Sequence, residues 1–152
     1  MKNIKFTILL VLLSLSFASA QDSYFGVGLS AYTDFTNLGA LPSFQFGTSV
    51  SDSVELRATV DSVILASIIG VDLLYSEQLP KEDARYYLGG GADFVFALLP
   101  GIVNFAAAAS AHATLGYESI SDNVGIFAEA QPMVAFSGGI GVRLRLGANI
   151  HF

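Results

Sequence analysis

The sequence of 152 residues contains no cysteine and no tryptophan, and only 13% of its residues are charged. The absence of cysteine excludes disulfide bonds, thiolate catalysis, cysteine-ligated zinc and lipid attachment to an N-terminal cysteine. Lys and Arg number 7 against 13 Asp and Glu, so the net charge is −6. No positive field is available to attract a phosphate backbone, and we expect no nucleic-acid partner.

Apolar residues are abundant instead. They make up 53% of the chain, and the mean hydropathy is +0.58. Such a composition is too apolar for a disordered or highly solvated protein. It predicts one domain that is membrane-bound or unusually rich in exposed apolar surface.

The first twenty residues have the parts of a secretory signal peptide. Two lysines precede an apolar run at 6–15, and Ala18-Ser19-Ala20 supplies the small-x-small cleavage pattern. The run is about ten residues long, whereas a membrane anchor needs about twenty. We expect residues 1–20 to be removed on export and residues 21–152 to form the folded domain, which holds five bases against thirteen acids and so carries a net charge of −8.

The C-terminal stretch alternates strictly between apolar and other residues. From Ile140 to Phe152, seven apolar residues occupy one face, and Arg143 and Arg145 lie on the other. Alternation with period two predicts a β-strand. A strand of this length spans about 40 Å, or about 30 Å when tilted, which matches the hydrocarbon thickness of a bilayer.

The same alternation recurs seven times upstream, separated by turn residues such as Ser51-Asp52-Ser53 and Ser121-Asp122-Asn123 and by a polar connector at 76–84. The predicted segments are 25–31, 42–50, 54–60, 69–75, 86–96, 107–117 and 124–130. An even number of long strands with one apolar face each predicts an all-β fold: a closed, antiparallel, up-and-down transmembrane β-barrel of about eight strands.

Two features indicate that the apolar face points to lipid. If the chain runs up and down, five aromatic residues fall at one rim, where they form an interfacial girdle. The opposite face is rich in Gly and Ser, as a narrow lumen requires. The predicted girdle consists of Phe25, Tyr75, Tyr86, Tyr117 and Phe152.

The exported N-terminus, the Tyr86–Ala92 and Thr114–Glu118 segments and the alternating final strand together resemble the small eight-stranded outer-membrane β-barrels of Gram-negative-type bacteria. The resemblance implies that the chain lies in the bacterial outer membrane and contacts its lipid. It also implies that the barrel-assembly machinery recognises the C-terminal strand through Ile150 and Phe152. The short apolar connections at 62–66 and 98–103 depart from the family and argue against an adhesin role that depends on long polar loops.

A transmembrane helix is the alternative for residues 94–111, an apolar stretch long enough to span a bilayer. Pro100-Gly101 lies in its middle. A helix would lose a backbone hydrogen bond and meet a ring clash at the proline, at a cost of about 3 kcal/mol. The sequence therefore favours two strands around a turn.

The charged residues fall mostly on the predicted inward face. Pairing centred on residue 136 would place Glu129 opposite Arg143, and pairing around 62–67 would place Arg57 opposite Asp72. Because the interior of an eight-stranded barrel is filled by side chains, we expect these charges to plug the lumen rather than line an open pore. The predicted lumenal network is Glu55, Arg57, Asp72, Asp93, Glu118, Glu129, Arg143 and Arg145.

The two histidines, His112 and His151, also face inward by parity. They lack the spacing of a metal site, so hydrogen-bonded lumenal histidines are the better interpretation. Ser110, His112 and Glu118 lie in a row along one strand, about 7 Å and 20 Å apart, and not within mutual hydrogen-bonding reach. No nucleophile elbow occurs, and Gly89-Gly90-Gly91 lies within a strand, so we predict no catalytic residue, metal or cofactor.

The leading functional prediction is a non-enzymatic outer-membrane barrel with a structural role in the envelope and a plugged polar lumen. The alternatives are a lipid-modifying outer-membrane enzyme, a binder or transporter of a small hydrophobic ligand at the outer rim, and a secreted lipid carrier of the lipocalin kind. The absence of tryptophan removes the Gly-x-Trp motif usual in that last class. The oligomeric state stays open.

Overall fold

Each of the eight described strands pairs with its neighbours in chain order, and the last pairs with the first. The computed structural model describes residues 22–35, 37–63, 66–80, 83–97 and 109–152. Every pairing is antiparallel, and pairing of β1 with β8 closes the barrel. The strands are β1 (Ser23–Thr33), β2 (Leu38–Ser51), β3 (Val54–Val63), β4 (Ala66–Gln78), β5 (Ala84–Ala97), β6 (Ala109–Ser121), β7 (Val124–Ala135) and β8 (Ile140–His151).

The predicted architecture, a closed all-β barrel of eight strands, is confirmed. Alternation sets which face of each strand is buried. On β8, Leu144 and Leu146 are 52% and 63% exposed on the outside of the barrel, whereas Arg143 and Arg145, which alternate with them, are fully buried inside. The apolar residues therefore face outward and the charged residues face inward.

The barrel has two distinct ends. At the end that holds both termini, hereafter the termini end, the connections are residues 52–53, 79–83 and 122–123. At the opposite end, hereafter the loop end, they are residues 34–37, 64–65, 98–108 and 136–139. Gly138 and Gly139 have φ angles of 90° and 115°, so the β7–β8 turn uses a backbone conformation that favours glycine.

Two details of the predicted connections need correction. The polar connector proposed for 76–84 is shorter, because β4 continues through Gln78, which pairs with Arg85 at the start of β5. The register of β7 and β8 is also shifted: Glu129 pairs with Arg145, and Gln131 pairs with Arg143. The predicted Glu129–Arg143 pairing was wrong, because the 136–139 turn centres the hairpin on residue 137.

The predicted Arg57–Asp72 pairing on β3 and β4 is present. Of the stretch considered as a helix, Phe94 lies in β5 and Ala111 lies in β6, while 98–108 falls outside the described residues. The predicted signal peptide, residues 1–20, and the 98–103 connection also fall outside them. Within the described ranges, no helix is long and apolar enough to cross a membrane.

Inward-facing glycines make room for two inward-facing tyrosines. A Cβ atom built on Gly47 would collide with the ring of Tyr24, and one built on Gly116 would collide with the ring of Tyr87. Both tyrosines are buried. The many glycines on the inward face thus let large side chains occupy a narrow bore.

Candidate functional site

The lumen concentrates the charged residues of the chain. Among the described residues, six carboxylates and four guanidinium groups are buried there, and their contacts form three layers along the barrel axis. Burial of a charge is costly unless it is paired and hydrogen-bonded, so the contacts of each layer decide whether this interior is stable. The buried acids are Glu55, Asp61, Asp72, Asp93, Glu118 and Glu129, and the buried bases are Arg57, Arg85, Arg143 and Arg145.

The first layer lies at the termini end and centres on Glu118. Arg85 Nη2 lies 2.7 Å from Glu118 Oε2, and Arg85 also pairs with Glu55 across the lumen. The other oxygen of Glu118 accepts from Asn149 Nδ2 at 2.8 Å and contacts His151 Nε2 at 2.9 Å. Both oxygens of this buried carboxylate therefore have charged or polar partners.

The middle layer centres on Glu129. Arg57 pairs with Glu129 through both terminal nitrogens, and its Nε lies 3.1 Å from Asp72 Oδ2. Arg145 Nη1 lies 3.1 Å from Glu129 Oε2, and the Tyr87 hydroxyl donates to Glu129 Oε1 at 2.7 Å. One carboxylate thus joins strands β3, β5, β7 and β8 across the bore.

The third layer lies toward the loop end and centres on Arg143. Its Nη1 lies 3.1 Å from Asp93 Oδ1 and 3.3 Å from Asp61 Oδ2, and its Nε donates to the Gln131 side-chain oxygen. The Tyr32 hydroxyl donates to Asp61 and accepts from Arg143 at 3.3 Å. This layer ties β1, β3, β5, β7 and β8 together.

Two sets of contacts join the layers into one network. Gln45 Nε2 donates to Asn149 Oδ1 at 2.6 Å and thereby links the first layer to the middle layer, where Arg57 donates to Gln45. His112 links the middle and third layers: its Nδ1 lies 2.8 Å from Asp93 Oδ2 and its Nε2 lies 2.5 Å from Asp72 Oδ1. Hydrogen bonds therefore run through the barrel from His151 at the termini end to Tyr32 near the loop end.

The environment of His112 bears on catalysis. Both ring nitrogens of His112 lie against carboxylate oxygens, Nδ1 against Asp93 and Nε2 against Asp72, so neither nitrogen is available to Ser110. Ser110 Oγ donates to Asp93 at 3.4 Å rather than to the histidine. Glu118 belongs to the first layer, far along β6 from Ser110. The structure does not assemble these three residues into a nucleophilic site.

All eight residues predicted for the lumenal network lie inside the barrel, in the three layers just described. Sequence reasoning left out two charged members, Arg85 and Asp61. The alternation of the strands could have identified both. Asp61 lies on the same face of β3 as Glu55 and Arg57, and Arg85 lies on the same face of β5 as Tyr87. Among the described residues, no group of His, Cys, Asp and Glu is arranged to hold a metal ion.

The five residues predicted to form a girdle all lie toward the termini end of the barrel. The rings of Tyr86 and Tyr117 pack against each other with centroids 5.1 Å apart. A second set of exposed aromatic residues lies toward the loop end and was missed: two stand just beyond the ends of β1 and β7, and the third lies near the end of β5. It consists of Phe35, Phe94 and Phe136.

The C-terminal residue sits at the seam where the barrel closes. Phe152 donates its backbone N–H to Ser23 O at 2.9 Å and accepts from Ser23 N at 3.2 Å. Its side chain is 70% exposed, and that of Ile150 is also exposed on the outward face of β8. Both residues predicted as the assembly signal are therefore accessible from outside the barrel.

The sequence matches no protein-family model and no curated protein. Solved structures, however, share its fold. The N-terminal β-barrel domain of Pseudomonas aeruginosa OprF aligns with a TM-score of 0.67 at 15% identity, covering 88% of this chain and 98% of that domain. Neisserial surface protein A aligns with a TM-score of 0.58 at 11% identity, over 86% of this chain and 94% of the other.

A third structure, that of the attachment invasion locus protein Ail of Yersinia pestis, aligns with a TM-score of 0.51 at 12% identity, over 86% of this chain and 98% of that one.

A lipocalin-like carrier would have an apolar interior, whereas this barrel buries its charges and exposes a continuous apolar surface. That alternative is therefore wrong. The chain thus shares the fold of small, eight-stranded bacterial outer-membrane β-barrels, and its outward apolar surface is the surface that such a barrel presents to lipid.

Proposed function

We propose that this chain is a structural protein of the outer membrane whose lumen is closed by its own side chains, so that it does not act as a porin. The observation that carries the proposal is the three-layer network of buried ion pairs across the bore. With eight strands, a barrel interior is only wide enough for side chains to fill it. Arg57, Arg143 and Arg145 are each at most 1% exposed, which supports a bore without continuous water.

The energetics of the network also support a closed lumen. A solute that passed through would have to separate pairs such as Arg57–Glu129 and Arg143–Asp93, which join strands that are not neighbours. Breaking a buried pair leaves an uncompensated charge and costs several kcal/mol. Repeated separation at three levels would make passage of a hydrated ion slow.

Conductance of the reconstituted barrel tests this proposal. We expect planar bilayers containing folded protein to show no discrete conductance steps above those of protein-free bilayers. An Arg57→Ala, Glu129→Ala, Arg145→Ala variant, which removes three of the four charges of the middle layer, should show more frequent openings than a matched outward variant, Leu144→Ala. Regular steps from the unmodified protein would contradict a closed lumen.

The proposed role is non-enzymatic. A lipid-modifying enzyme would need a nucleophile with an adjacent base, and His112 has both ring nitrogens bound to carboxylates, which leaves it unable to accept a proton from Ser110. We expect mass spectra of lipids to be unchanged after incubation with the folded barrel in vesicles. A new lipid species that depends on Ser110 or His112 would contradict this part of the proposal.

We further propose that the barrel contacts outer-membrane lipid over its apolar surface and is recognised during assembly through Ile150 and Phe152. The exposure of both side chains on β8 and the position of Phe152 at the β1–β8 seam support that role. Recognition would occur before the barrel closes, and it would use β8, the strand that closes the barrel by pairing with β1. The amount of barrel that reaches the cellular outer membrane after deletion of Phe152 tests this role.

A further inference from the structure

An apolar groove of about 460 Å³ lies on the outside of the barrel, on strands β5 to β8. Its floor is on β7, where the outward side chains of Ala128 and Ala130 are small. Larger side chains stand on both sides of this floor. They are Leu115 and Tyr117 on β6 and Leu144 and Leu146 on β8, with Tyr86 of β5 beyond Tyr117.

The strand register arranges these side chains as two walls. Ala130 pairs with Leu115 of β6 on one side and with Leu144 of β8 on the other. Ala128, two residues nearer the termini end, is flanked by larger residues of the same two strands. Because Ala128 and Ala130 are successive outward residues of one strand, the groove follows β7.

The width of the groove favours a thin occupant. Neighbouring strands lie about 4.8 Å apart, so the backbones of β6 and β8 are at most about 9.6 Å apart. Side chains such as Leu115 and Leu144 fill part of that distance. An α-helix with its side chains is about 10–12 Å across and cannot enter, whereas a single hydrocarbon chain can. A second barrel would meet the groove with a convex wall and could place only isolated side chains in it.

The groove is continuous with the apolar surface that a barrel of this type presents to lipid. Leu88, which pairs with Leu115, and Ile126, the next outward residue of β7, are both exposed. At the termini end the groove stops at the packed rings of Tyr86 and Tyr117. Aromatic residues of this kind lie at the level of the lipid headgroups, so an acyl chain that starts beside them would extend along β7.

An acyl chain in the groove would contact more protein than one lying elsewhere on the barrel. On a convex wall a chain touches protein on one side only. In the groove it would touch Ala128 and Ala130 below it, and Leu115 and Leu144 on its two sides. Dispersion attraction grows with the number of atom contacts, so a chain in the groove is retained in preference to its neighbours.

We propose that this groove is a specific lipid site, which binds one acyl chain of a phospholipid along β7 with the ester end of the chain toward Tyr86 and Tyr117. The site rests on the proposed contact of the apolar surface with lipid. It goes further because it separates one place on that surface, where a lipid stays bound, from the rest, where lipids exchange freely.

Native mass spectrometry of the folded barrel tests the inference. The barrel is folded into vesicles of palmitoyl-oleoyl-phosphatidylethanolamine, extracted into octyl tetraethylene glycol micelles and freed of detergent in the gas phase. We expect the spectrum to show a barrel that retains a single phospholipid. A barrel without retained lipid, a graded series of several lipids, or a lipid-free dimer would overturn the inference.

Two pairs of variants locate the site. Ala128→Leu fills the floor of the groove, and Ala58→Leu adds the same bulk to the outward face of β3. Leu146→Ala lowers one wall, and Leu73→Ala makes the same change on the outward face of β4. We expect the fraction of barrel with retained lipid to fall about tenfold in Ala128→Leu and about threefold in Leu146→Ala, with both controls unchanged. Equal retention in a groove variant and its control would overturn the assignment, with resistance to SDS before boiling showing that each variant is folded.

A separate reporter distinguishes failure of the groove site from failure of lipid contact. Leu73→Trp places a tryptophan on the outward face of β4, away from the groove. Quenching of its fluorescence by brominated phosphatidylcholine, combined with no retained lipid in the mass spectrum, would overturn the groove site and leave lipid contact standing. Absence of quenching would contradict lipid contact, and the groove site with it.

Discussion

The two faces of each strand are stabilised in different ways. On the inward face, each charge has particular partners. Arg57, for example, contacts Asp72 and Glu129, so a change of strand register or replacement of Arg57 would remove both contacts. On the outward face, residues such as Leu144 and Leu146 need only be apolar, because lipid adapts to their shape. The lumen therefore specifies one structure, whereas the outer surface specifies the solvent in which that structure is stable.

The largest expected effect comes from breaking the lumen at its centre. Glu129→Ala would leave Arg57 and Arg145 without their shared carboxylate, so we expect the free energy of unfolding to fall by about 3–5 kcal/mol. Denaturant unfolding of the barrel in lipid vesicles measures the change. Glu129→Gln keeps the shape and part of the hydrogen bonding and should cost less; a loss below about 1 kcal/mol in the alanine variant would show that the network contributes little.

Double-mutant cycles test the register that brings the inward-facing charges together. We expect a coupling energy of about 1–3 kcal/mol between Glu129 and Arg145, which contact each other, and a smaller one between Glu129 and Arg143, which the structure places in different layers. Unfolding of the single and double alanine variants supplies both values. The reverse order would support a hairpin centred on residue 136.

The next largest loss in the free energy of unfolding is expected from a charge placed on the outward face. Leu144→Arg places a guanidinium in the hydrocarbon near the middle of β8, and we expect a loss of about 2–4 kcal/mol in the free energy of unfolding from bilayers. Leu144→Ala keeps the face uncharged and serves as the control, with a smaller expected loss. Equal stability of the arginine variant and the parent barrel would mean that this face does not contact lipid.

Deletion of Phe152 should affect assembly more than stability. One aromatic residue at the rim contributes only about 1–3 kcal/mol by burial, whereas the proposed recognition of the C-terminal strand would decide whether the chain is inserted at all. We expect a severalfold lower amount of barrel in the cellular outer membrane but refolding into detergent close to that of the full chain. Phe152→Tyr, which keeps an aromatic ring, is the matched control. Normal cellular insertion of the deletion variant would refute the assembly role.

The smallest effect should come from reshaping the outward face without adding charge. Leu146→Ile is expected to change the free energy of unfolding by less than about 0.5 kcal/mol. In contrast, Gln131→Leu preserves approximate size on the inward face but removes hydrogen bonds to Arg143 and Thr114, at an expected cost of about 1–3 kcal/mol. Equal shifts of the unfolding curves of the two variants would show that the inward and outward faces do not differ in their tolerance of substitution.

The sequence predicted the strands and their faces because alternation is a local property. It failed on the β7–β8 register for a physical reason: moving Glu129 from Arg143 to Arg145 shifts the pairing by two residues, and a shift of two leaves every side chain on the same face. The hydrophobic pattern cannot detect such a shift. The length of the 136–139 turn decides it.

The contacts that cross the bore could not be predicted in the same way. Arg57 on β3 reaches Glu129 on β7, and His112 on β6 reaches Asp72 on β4. These strands are not neighbours, so no hairpin register brings the residues together. Their proximity follows from the closure and width of the barrel, which strand-by-strand reasoning does not supply.

A single tryptophan tests whether the apolar face of the strands lies in lipid. The chain has no tryptophan of its own, so Leu144→Trp gives one reporter at the middle of β8 and Asp52→Trp gives a control in a turn at the termini end. In vesicles of phosphatidylcholine brominated near the ends of its acyl chains, we predict strong quenching of the Leu144→Trp fluorescence and weak quenching of the Asp52→Trp fluorescence. Unquenched fluorescence at position 144 in a folded barrel would contradict the account.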